Sequence, residues 1–318
     1  MVIGIVGYGR LGRAVEIEAL YRDEITVAGV FTRRKGGIMT LGAPVCSLGS
    51  IDDFSGRIDC MLVCHGSSSD APSTVQRLAR SFNTVDAFDI HSEIAAYRAR
   101  VDTAAKDGNT TAILATGWDP GLLSLIRLYS RAFMPRGVIN TFWGEGVSQG
   151  HTEAIKSVSG VIDAIELTVP RRDAVAYATA GQRLSDTERH RRVCYVVCEP
   201  EDEDRIRCEI VSMEGYFRGY ETEVHFVTLG ELLEMQKSIH HSGRVISVAM
   251  GGLYREQRSE INFSLSLDSN PDFTASVMLT AARAAVKMKK EGMHGAYTLL
   301  DIPPSFLLGE KSDIYDYI

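Results

Sequence analysis

The sequence predicts an α/β fold, with a doubly wound parallel sheet in a first domain and an α+β second domain built on an open mixed sheet. Three observations predict it. Val2 to Val6 is a run of β-formers that empties into Gly7-x-Gly9-x-x-Gly12 and then into helical spacing at Leu11, Ala14, Val15 and Ala19. From there to Ala115, strand-like runs alternate with amphipathic stretches. Beyond Gly121 the rhythm changes to strands separated by longer polar connections.

With 318 residues, 45% hydrophobic and 24% charged, the chain is long enough for two domains, each with its own core. A formal net charge of -7 argues against nucleic acid or an anionic membrane as the main partner. No stretch reaches the apolar length of a membrane helix, and the first residues form a strand with no basic leader, so a cytoplasmic protein is expected. The cysteines are Cys46, Cys60, Cys64, Cys194, Cys198 and Cys208. Their C-x-x-x-C spacings match no common zinc pattern, so free thiols packed as small hydrophobes, with no metal site, are expected.

The first strand and its glycines read as a Rossmann-type dinucleotide fingerprint. Gly7 permits the tight turn, Gly9 lets a pyrophosphate approach the backbone, and Gly12 allows close packing of helix on strand. The helix from Arg10 to Leu20 would offer its unpaired N–H groups to the phosphates. A second strand, Ile25 to Phe31, ends in Thr32, Arg33 and Arg34. An NAD site usually carries a carboxylate there for the ribose 2′-OH; two guanidinium groups suit a 2′-phosphate and predict NADP.

After a loop-rich segment around Pro44-Val45-Cys46, Ile58 to Cys64 reads as a strand ending in His65-Gly66-Ser67. Pro72 to Phe82 is helical, Asn83 to Phe88 is a strand ending at Asp89, and Glu93 to Lys106 is helical. Thr111 to Ala115 is a strand ending in Thr116-Gly117-Trp118-Asp119-Pro120-Gly121. Ligands in such sheets gather at the carboxyl ends of the strands. Asp89 and Asp119 are therefore the first candidates for chemistry, as carboxylates able to hold an ammonium group and ease loss of its proton. The same residues suit a helix cap and a turn, roles that do not exclude substrate contact.

Leu122 to Met134 is helical. Thr141 to Gly144, Ala164 to Val169, Val193 to Val197, Glu223 to Val227, Val245 to Ala249 and Ile261 to Leu267 then read as one open, largely antiparallel sheet. Helices over Thr152 to Val158 and Asp204 to Ser212 would cover one face. Asn270-Pro271 opens a long helix with a buried stripe of Phe273, Val277, Ala281, Ala284 and Met288, ended by Gly292. Its small residues suit close packing and return the C-terminus to the nucleotide domain; Tyr297 to Ile302 is a last strand. The expected division is 1–120 with 265–318 for the nucleotide, and 121–264 for substrate and assembly.

GYGRLG, FTRR, VDAFDIH, TGWDPG, TFWGEGVSQGH, HHSGRVI and NPDFTAS, in this order and at these separations, resemble the meso-diaminopimelate dehydrogenases. TGWDPG, TFWGEGVSQGH and NPDFTAS are far more specific than the glycine fingerprint, and the resemblance covers both domains. It implies reversible NADP-dependent oxidative deamination of meso-2,6-diaminopimelate at its D-centre. The products are ammonia and L-2-amino-6-oxopimelate, which cyclises to tetrahydrodipicolinate, on the route to lysine. The resemblance also implies a homodimer through the second domain. It puts cofactor contacts on Tyr8, Gly9, Arg10 and Leu11, on Thr32, Arg33 and Arg34, and on Cys64, His65, Gly66 and Ser67. Further contacts fall on Ala87, Phe88 and Asp89, and on Thr116, Gly117, Trp118, Asp119 and Pro120.

Substrate contacts are implied at Asp89, Asp119, Trp143, Gln149, Gly150, Thr168, Arg192, His241 and Asn270. Arg192, Thr168 and His241 would hold the distal carboxylate, and Asp89 and Asp119 the reacting amine. His240 and His241 are adjacent where one ligand histidine is expected; His241 aligns, and either imidazole could turn toward the ligand. Two other readings remain: an NADP-dependent D-amino-acid dehydrogenase of broader specificity, and a non-catalytic NADP-binding regulator.

Overall fold

A computed structural model describes residues 1–33, 37–67, 70–237, 239–251, 257–309 and 312–318. The chain divides into two compact units, Met1–Leu125 with Asn270–Ile318, and Ile126–Ser269.

In chain order, the first unit opens with β1 (Val2–Val6), α1 (Arg10–Leu20), β2 (Thr26–Thr32), β3 (Val45–Ser47), β4 (Cys60–Val63) and α2 (Ala71–Leu78). It continues through β5 (Asn83–Asp86), α3 (Ile94–Asp107) and β6 (Thr111–Ile113), and α4 (Leu123–Phe133) runs on into the second unit. The second unit holds β7 (Val138–Trp143), β8 (Gly146–Val147), α5 (Gln149–Lys156), β9 (Asp163–Pro170), α6 (Arg172–Thr179) and α7 (Asp186–Arg189). After these come β10 (His190–Val197), α8 (Glu203–Ser212), β11 (Thr222–Phe226), α9 (Leu229–Lys237), β12 (His241–Gly251) and β13 (Gln257–Leu267). The first unit is completed by α10 (Asn270–Lys290), β14 (Gly295–Tyr297) and α11 (Pro304–Leu307).

The first unit is the expected doubly wound sheet: seven strands in the order β14-β6-β5-β4-β1-β2-β3, with every pairing parallel. One face is covered by α1 and α10 through Ala14, Val15, Ala282 and Ala285, the other by α2 and α3 through Val75, Leu78, Tyr97 and Val101. Burial on both faces is why β1 and β4 are nearly continuous apolar runs. Strand order reverses across β1 and β4, so the loops leaving their carboxyl ends flank the crevice where such sheets bind ligands.

Four local expectations change. The long helix α10 buries Thr274, Ala275, Met278, Leu279, Ala281, Ala282, Ala284, Ala285 and Met288, whereas Phe273 and Val277 are only half-buried. Packing against both the sheet and α1 widens the stripe and favours alanines. Val45–Ser47, read as loop, is an edge strand on β2. Tyr297 closes β14, and Leu299–Asp301 is a 3-10 turn capped by Thr298, whose hydroxyl accepts Leu300 N–H at 3.3 Å. In the second unit the single expected sheet is two: mixed β11-β10-β9-β8 and antiparallel β13-β12-β7. The chain leaves one for the other at Gly144, whose φ of 120° favours glycine, and a Cβ there would lie 2.1 Å from the Thr168 carbonyl oxygen.

Candidate functional site

In the first unit, the glycine turn closes as its spacing requires. Gly7 N–H donates to the Phe31 carbonyl at 2.9 Å, and its φ is 90°. A Cβ on Gly12 would sit 2.1 Å from the Gly7 carbonyl oxygen, so only glycine lets α1 pack this closely on β1. A Cβ on Gly9 would meet no heavy atom within 4 Å. Gly9 is also the N-cap of α1, with no side-chain cap bond and no acid in the first turn. The start of α1 thus presents backbone donors, positive dipole and open space together, which suits a pyrophosphate.

Tyr8 donates its hydroxyl to buried Glu16, whose other oxygen accepts the Leu41 and Ala43 N–H groups, both at 3.0 Å. Burial and this carboxylate push the Tyr8 phenol up to about 12. Glu16, which the sequence reading missed, therefore ties the glycine turn to the segment after β2. Thr32 is buried at the end of β2, Arg33 is exposed and ion-paired with Asp70, and Arg34 lies outside the described residues.

At the end of β4, burial pushes the Cys64 thiol up to about 12. The His65 ring lies under Gly7, where a Cβ would meet its Cδ2 at 2.4 Å. His65 Nδ1 is buried with no hydrogen-bond partner among the described residues, and burial pulls the imidazole pKa down. Ser67 Oγ accepts the Asp89 N–H at 3.1 Å, joining the ends of β4 and β5. Asp89 is exposed, and the nearby cap positions at Ile90 and Glu93 carry no side-chain cap bond.

Asp86 is the second missed residue. It is fully buried and accepts Phe88 N–H at 2.9 Å, Ala115 N–H at 3.1 Å and the Tyr97 hydroxyl at 2.8 Å. Its own carbonyl accepts the Thr116 N–H at 2.9 Å and hydroxyl at 2.6 Å. One residue thus fixes the exits of β5 and β6, including Ala115 with its uncommon φ of 55°. Burial pushes the Asp86 carboxyl up to about 6. Beyond Thr116, Asp119 is extended and half-buried in a turn closed by Gly121 at φ 133°. Gly117 packs beside Thr274, whose hydroxyl donates to Asn270 Oδ1 at 2.9 Å, so Asn270 and the Asp119 turn are brought together.

In the second unit, Trp143, Thr168, Arg192 and His241 converge. Antiparallel register sets Arg192 opposite Thr168, and the Arg192 guanidinium donates to the Thr168 hydroxyl. Gly144, next to Trp143, packs on the Thr168 carbonyl, and Gly146 of β8 pairs with Thr168. A Cβ on Gly146 would meet His241 Cδ2 at 3.3 Å. His240 is exposed and pairs with Asp268 at 3.1 Å; His241 is half-buried, and burial pulls its pKa down. Gln149 and Gly150 are exposed at the start of α5, whose cap residue Ser148 donates N–H to the Glu166 carbonyl at 3.1 Å.

Three further residues support this cluster. His190 stacks on Trp143 with centroids 5.4 Å apart and accepts its N–H at 3.0 Å. Burial pulls His190 down to about 4, so the ring is neutral and able to accept. Tyr220 lies under the Arg192 guanidinium at 4.3 Å. Glu166 is fully buried and ion-paired with Arg192 at 3.3 Å. Period-two alternation puts Glu166 on the Thr168 face of β9 and was legible in the sequence; its pairing with Arg192 needed the register. Arg192 Nε is buried with no hydrogen-bond partner among the described residues. The cluster can therefore accept a further anion. All six cysteines are free thiols, and no group of three metal-ligating side chains occurs among the described residues.

Residues 117–269 match the family profile of the Diaminopimelic acid dehydrogenase C-terminal domain. The meso-diaminopimelate D-dehydrogenase of Acetivibrio thermocellus is 44% identical, over 98% of this chain and 95% of the relative. The chain belongs to the meso-diaminopimelate dehydrogenase family. Within that family, Corynebacterium glutamicum DAP dehydrogenase in complex with DAP is 34% identical, with a TM-score of 0.91 over 99% of this chain and 97% of the other. An engineered D-amino acid dehydrogenase bound to NADP+ is 33% identical, with a TM-score of 0.86 over 99% and 98%. The protein is a nicotinamide-dependent oxidoreductase acting on CH–NH2 groups.

Proposed function

We propose that this protein catalyses the reversible NADP-dependent oxidative deamination of meso-2,6-diaminopimelate at its D-centre, in lysine and diaminopimelate biosynthesis. The observation that carries the substrate is buried Arg192, with its unpartnered Nε beside Thr168, in a member of this family. A simple D-amino acid has no distal carboxylate to meet that guanidinium, which favours the diacid over a broad D-amino-acid dehydrogenase.

When bound, the nicotinamide accepts the hydride from the D-carbon. The open Gly9 cradle and the uncapped start of α1 suit its pyrophosphate. Cys64 to Ser67, Ala87 to Asp89 and Thr116 to Pro120 line the remaining strand ends. Arg33 and Arg34 grip the 2′-phosphate, giving preference for NADP. The exposed Arg33–Asp70 pair opposes this little, since such pairs contribute ~0–1 kcal/mol.

Asp89 and Asp119 orient the D-amino group and take its proton, so that the nitrogen lone pair supports departure of the Cα hydride. Water then adds to the imine and ammonia leaves, giving L-2-amino-6-oxopimelate. Arg192, Thr168 and His241 hold the distal carboxylate, Asn270 adds a polar contact, and Trp143, Gln149 and Gly150 exclude water until the imine forms.

The active species is a homodimer. Support comes from β13, an edge strand whose Ile261, Phe263 and Leu265 alternate as half-buried positions with exposed neighbours. Free thiols suit a cytoplasmic location, and no helix among the described residues is long and apolar enough to cross a membrane. The test is to mix purified protein with meso-diaminopimelate and NADP at mildly alkaline pH and follow absorbance of the reduced nicotinamide. Silence from protein that still binds NADP would rule this function out.

A further inference from the structure

Buried carboxylates are costly unless compensated, and Glu166 has an unusual compensation. It stands behind a guanidinium whose other donors face a ligand in the proposed reading, on which this inference rests. Arg192 uses Nη1 for both Glu166 and Thr168, while Nε has no hydrogen-bond partner among the described residues. The Thr168 hydroxyl lies 3.3 Å from each Glu166 oxygen. Glu166 itself is 0% exposed, so it acts through Arg192 and Thr168 rather than by touching a substrate.

We propose that Glu166 is the positioning counter-ion of Arg192, and that it takes up a proton when a substrate carboxylate binds the same guanidinium. Before binding, one buried cation faces one buried carboxylate and the pair is neutral. A second carboxylate on Arg192 then competes with Glu166 for one guanidinium, out of water. Protonation of Glu166 ends that competition and frees the guanidinium from its carboxylate partner.

The surroundings leave this role to Glu166. Among the described residues, the titratable groups coupled to Glu166 or to Arg192 include Cys194 beside Glu166, and His190 on β10 and His151 on α5 beside Arg192, with Tyr220 over the guanidinium. β8 contributes only Gly146 and Val147, and α9 packs on the opposite face through Leu232 against Ile165. Burial holds His151 and His190 at about 4, so both are neutral near pH 7, and burial pushes the Cys194 thiol well up. Burial also pushes the Glu166 carboxyl up to about 7, with Arg192, Thr168 and Ser148 opposing.

A bound carboxylate raises the Glu166 pKa further, so the protonated form binds more tightly. The extra affinity is complete below about 7 and is lost as pH rises through the higher pKa of the complex. Between the two values the dissociation constant rises by about tenfold per pH unit.

Calorimetry of meso-diaminopimelate binding to the full chain carrying reduced cofactor, which prevents turnover, tests this in two buffers of unequal ionisation enthalpy. Near pH 8 the wild type should take up about one proton per site more than Glu166→Gln, which keeps the shape but cannot ionise. In the wild type alone, the uptake should vanish near pH 5.5, where Glu166 is already protonated. Equal proton counts in the two proteins, or no uptake by the wild type near pH 8, would overturn the role of Glu166 and leave the function standing. Failure of the wild type to bind the diacid at all would instead overturn the proposed function, and this role with it.

Discussion

Replacing Gly12 and Gly9 separately by alanine divides the glycine fingerprint into its mechanical and ligand-facing parts. At Gly12 the new Cβ would lie 2.1 Å from the Gly7 carbonyl oxygen and 3.4 Å from Ile5 Cγ2. The close contact is between the new Cβ and a backbone carbonyl, so no flexible side chain can yield and α1 must move away from β1. Overpacking of this kind costs ~1–3 kcal/mol, and the gain of alanine over glycine inside a helix returns ~1 kcal/mol. The expected net loss for Gly12→Ala is ~0–2 kcal/mol, or up to roughly 8 °C in Tm for a unit of this size. At Gly9 the added methyl meets nothing within 4 Å and the backbone already has negative φ, so the change costs only the poorer N-cap, ~1 kcal/mol or less. The methyl would instead occupy the approach of the pyrophosphate, and cofactor affinity should fall at least tenfold. Thermal unfolding by circular dichroism and titration with reduced cofactor read the two effects independently. A Gly9→Ala protein with lowered Tm and unchanged cofactor affinity would refute the assignment.

Other substitutions probe the remaining parts. Arg192→Ala should raise KM for meso-diaminopimelate by ~100-fold or more, since a desolvated charge-assisted pair is worth several kcal/mol, while cofactor binding stays close to wild type. Equal losses in both constants would contradict its role. Replacing Arg33 and Arg34 together by alanine should erode the preference for NADP over NAD, measured as the ratio of kcat/KM values. An unchanged ratio means that the phosphate is held elsewhere. For Asp86, the folded-state pKa of about 6 lies above its ordinary value, so its stability contribution is present below about pH 4 and lost as pH rises through 6. Two units correspond to roughly 3 kcal/mol, so urea unfolding of Asp86→Asn relative to wild type should improve by up to that amount between pH 4 and 7. A pH-independent difference would show that Asp86 does not titrate in this range.

Much of the fold was legible because local rules sufficed. Val2 to Gly12 specified a strand, a tight turn and a helix through side-chain period and glycine placement, and the structure gives Gly7 and Gly12 distinct steric reasons while leaving the space over Gly9 open. Alternating strands and helices implied the parallel sheet, and the motifs carrying Asp89, Asp119, Trp143, His241 and Asn270 implied the family. The turn at Gly144 was hidden, because its need for positive φ and a bare Cα comes from the Thr168 carbonyl, 24 residues away. The 3-10 turn at Leu299 was hidden by apolar neighbours that read equally well as strand.

The sequence by itself determined the parallel sheet, the anion-binding start of α1 and the identity of the polar groups available for a diamino diacid. Only the tertiary structure decided which of those groups are compensated, and by what. Glu16, Asp86, Glu166 and His190 are unremarkable in a sequence, since a carboxylate or imidazole inside a strand or helix is defined by its partners. Those partners come from separate elements joined by register and packing. Register across β9 and β10 turns Arg192 from one of several arginines into a buried cation with one counter-ion and a donor left to give. Burial decides the protonation of such groups, and burial is a property of the folded chain.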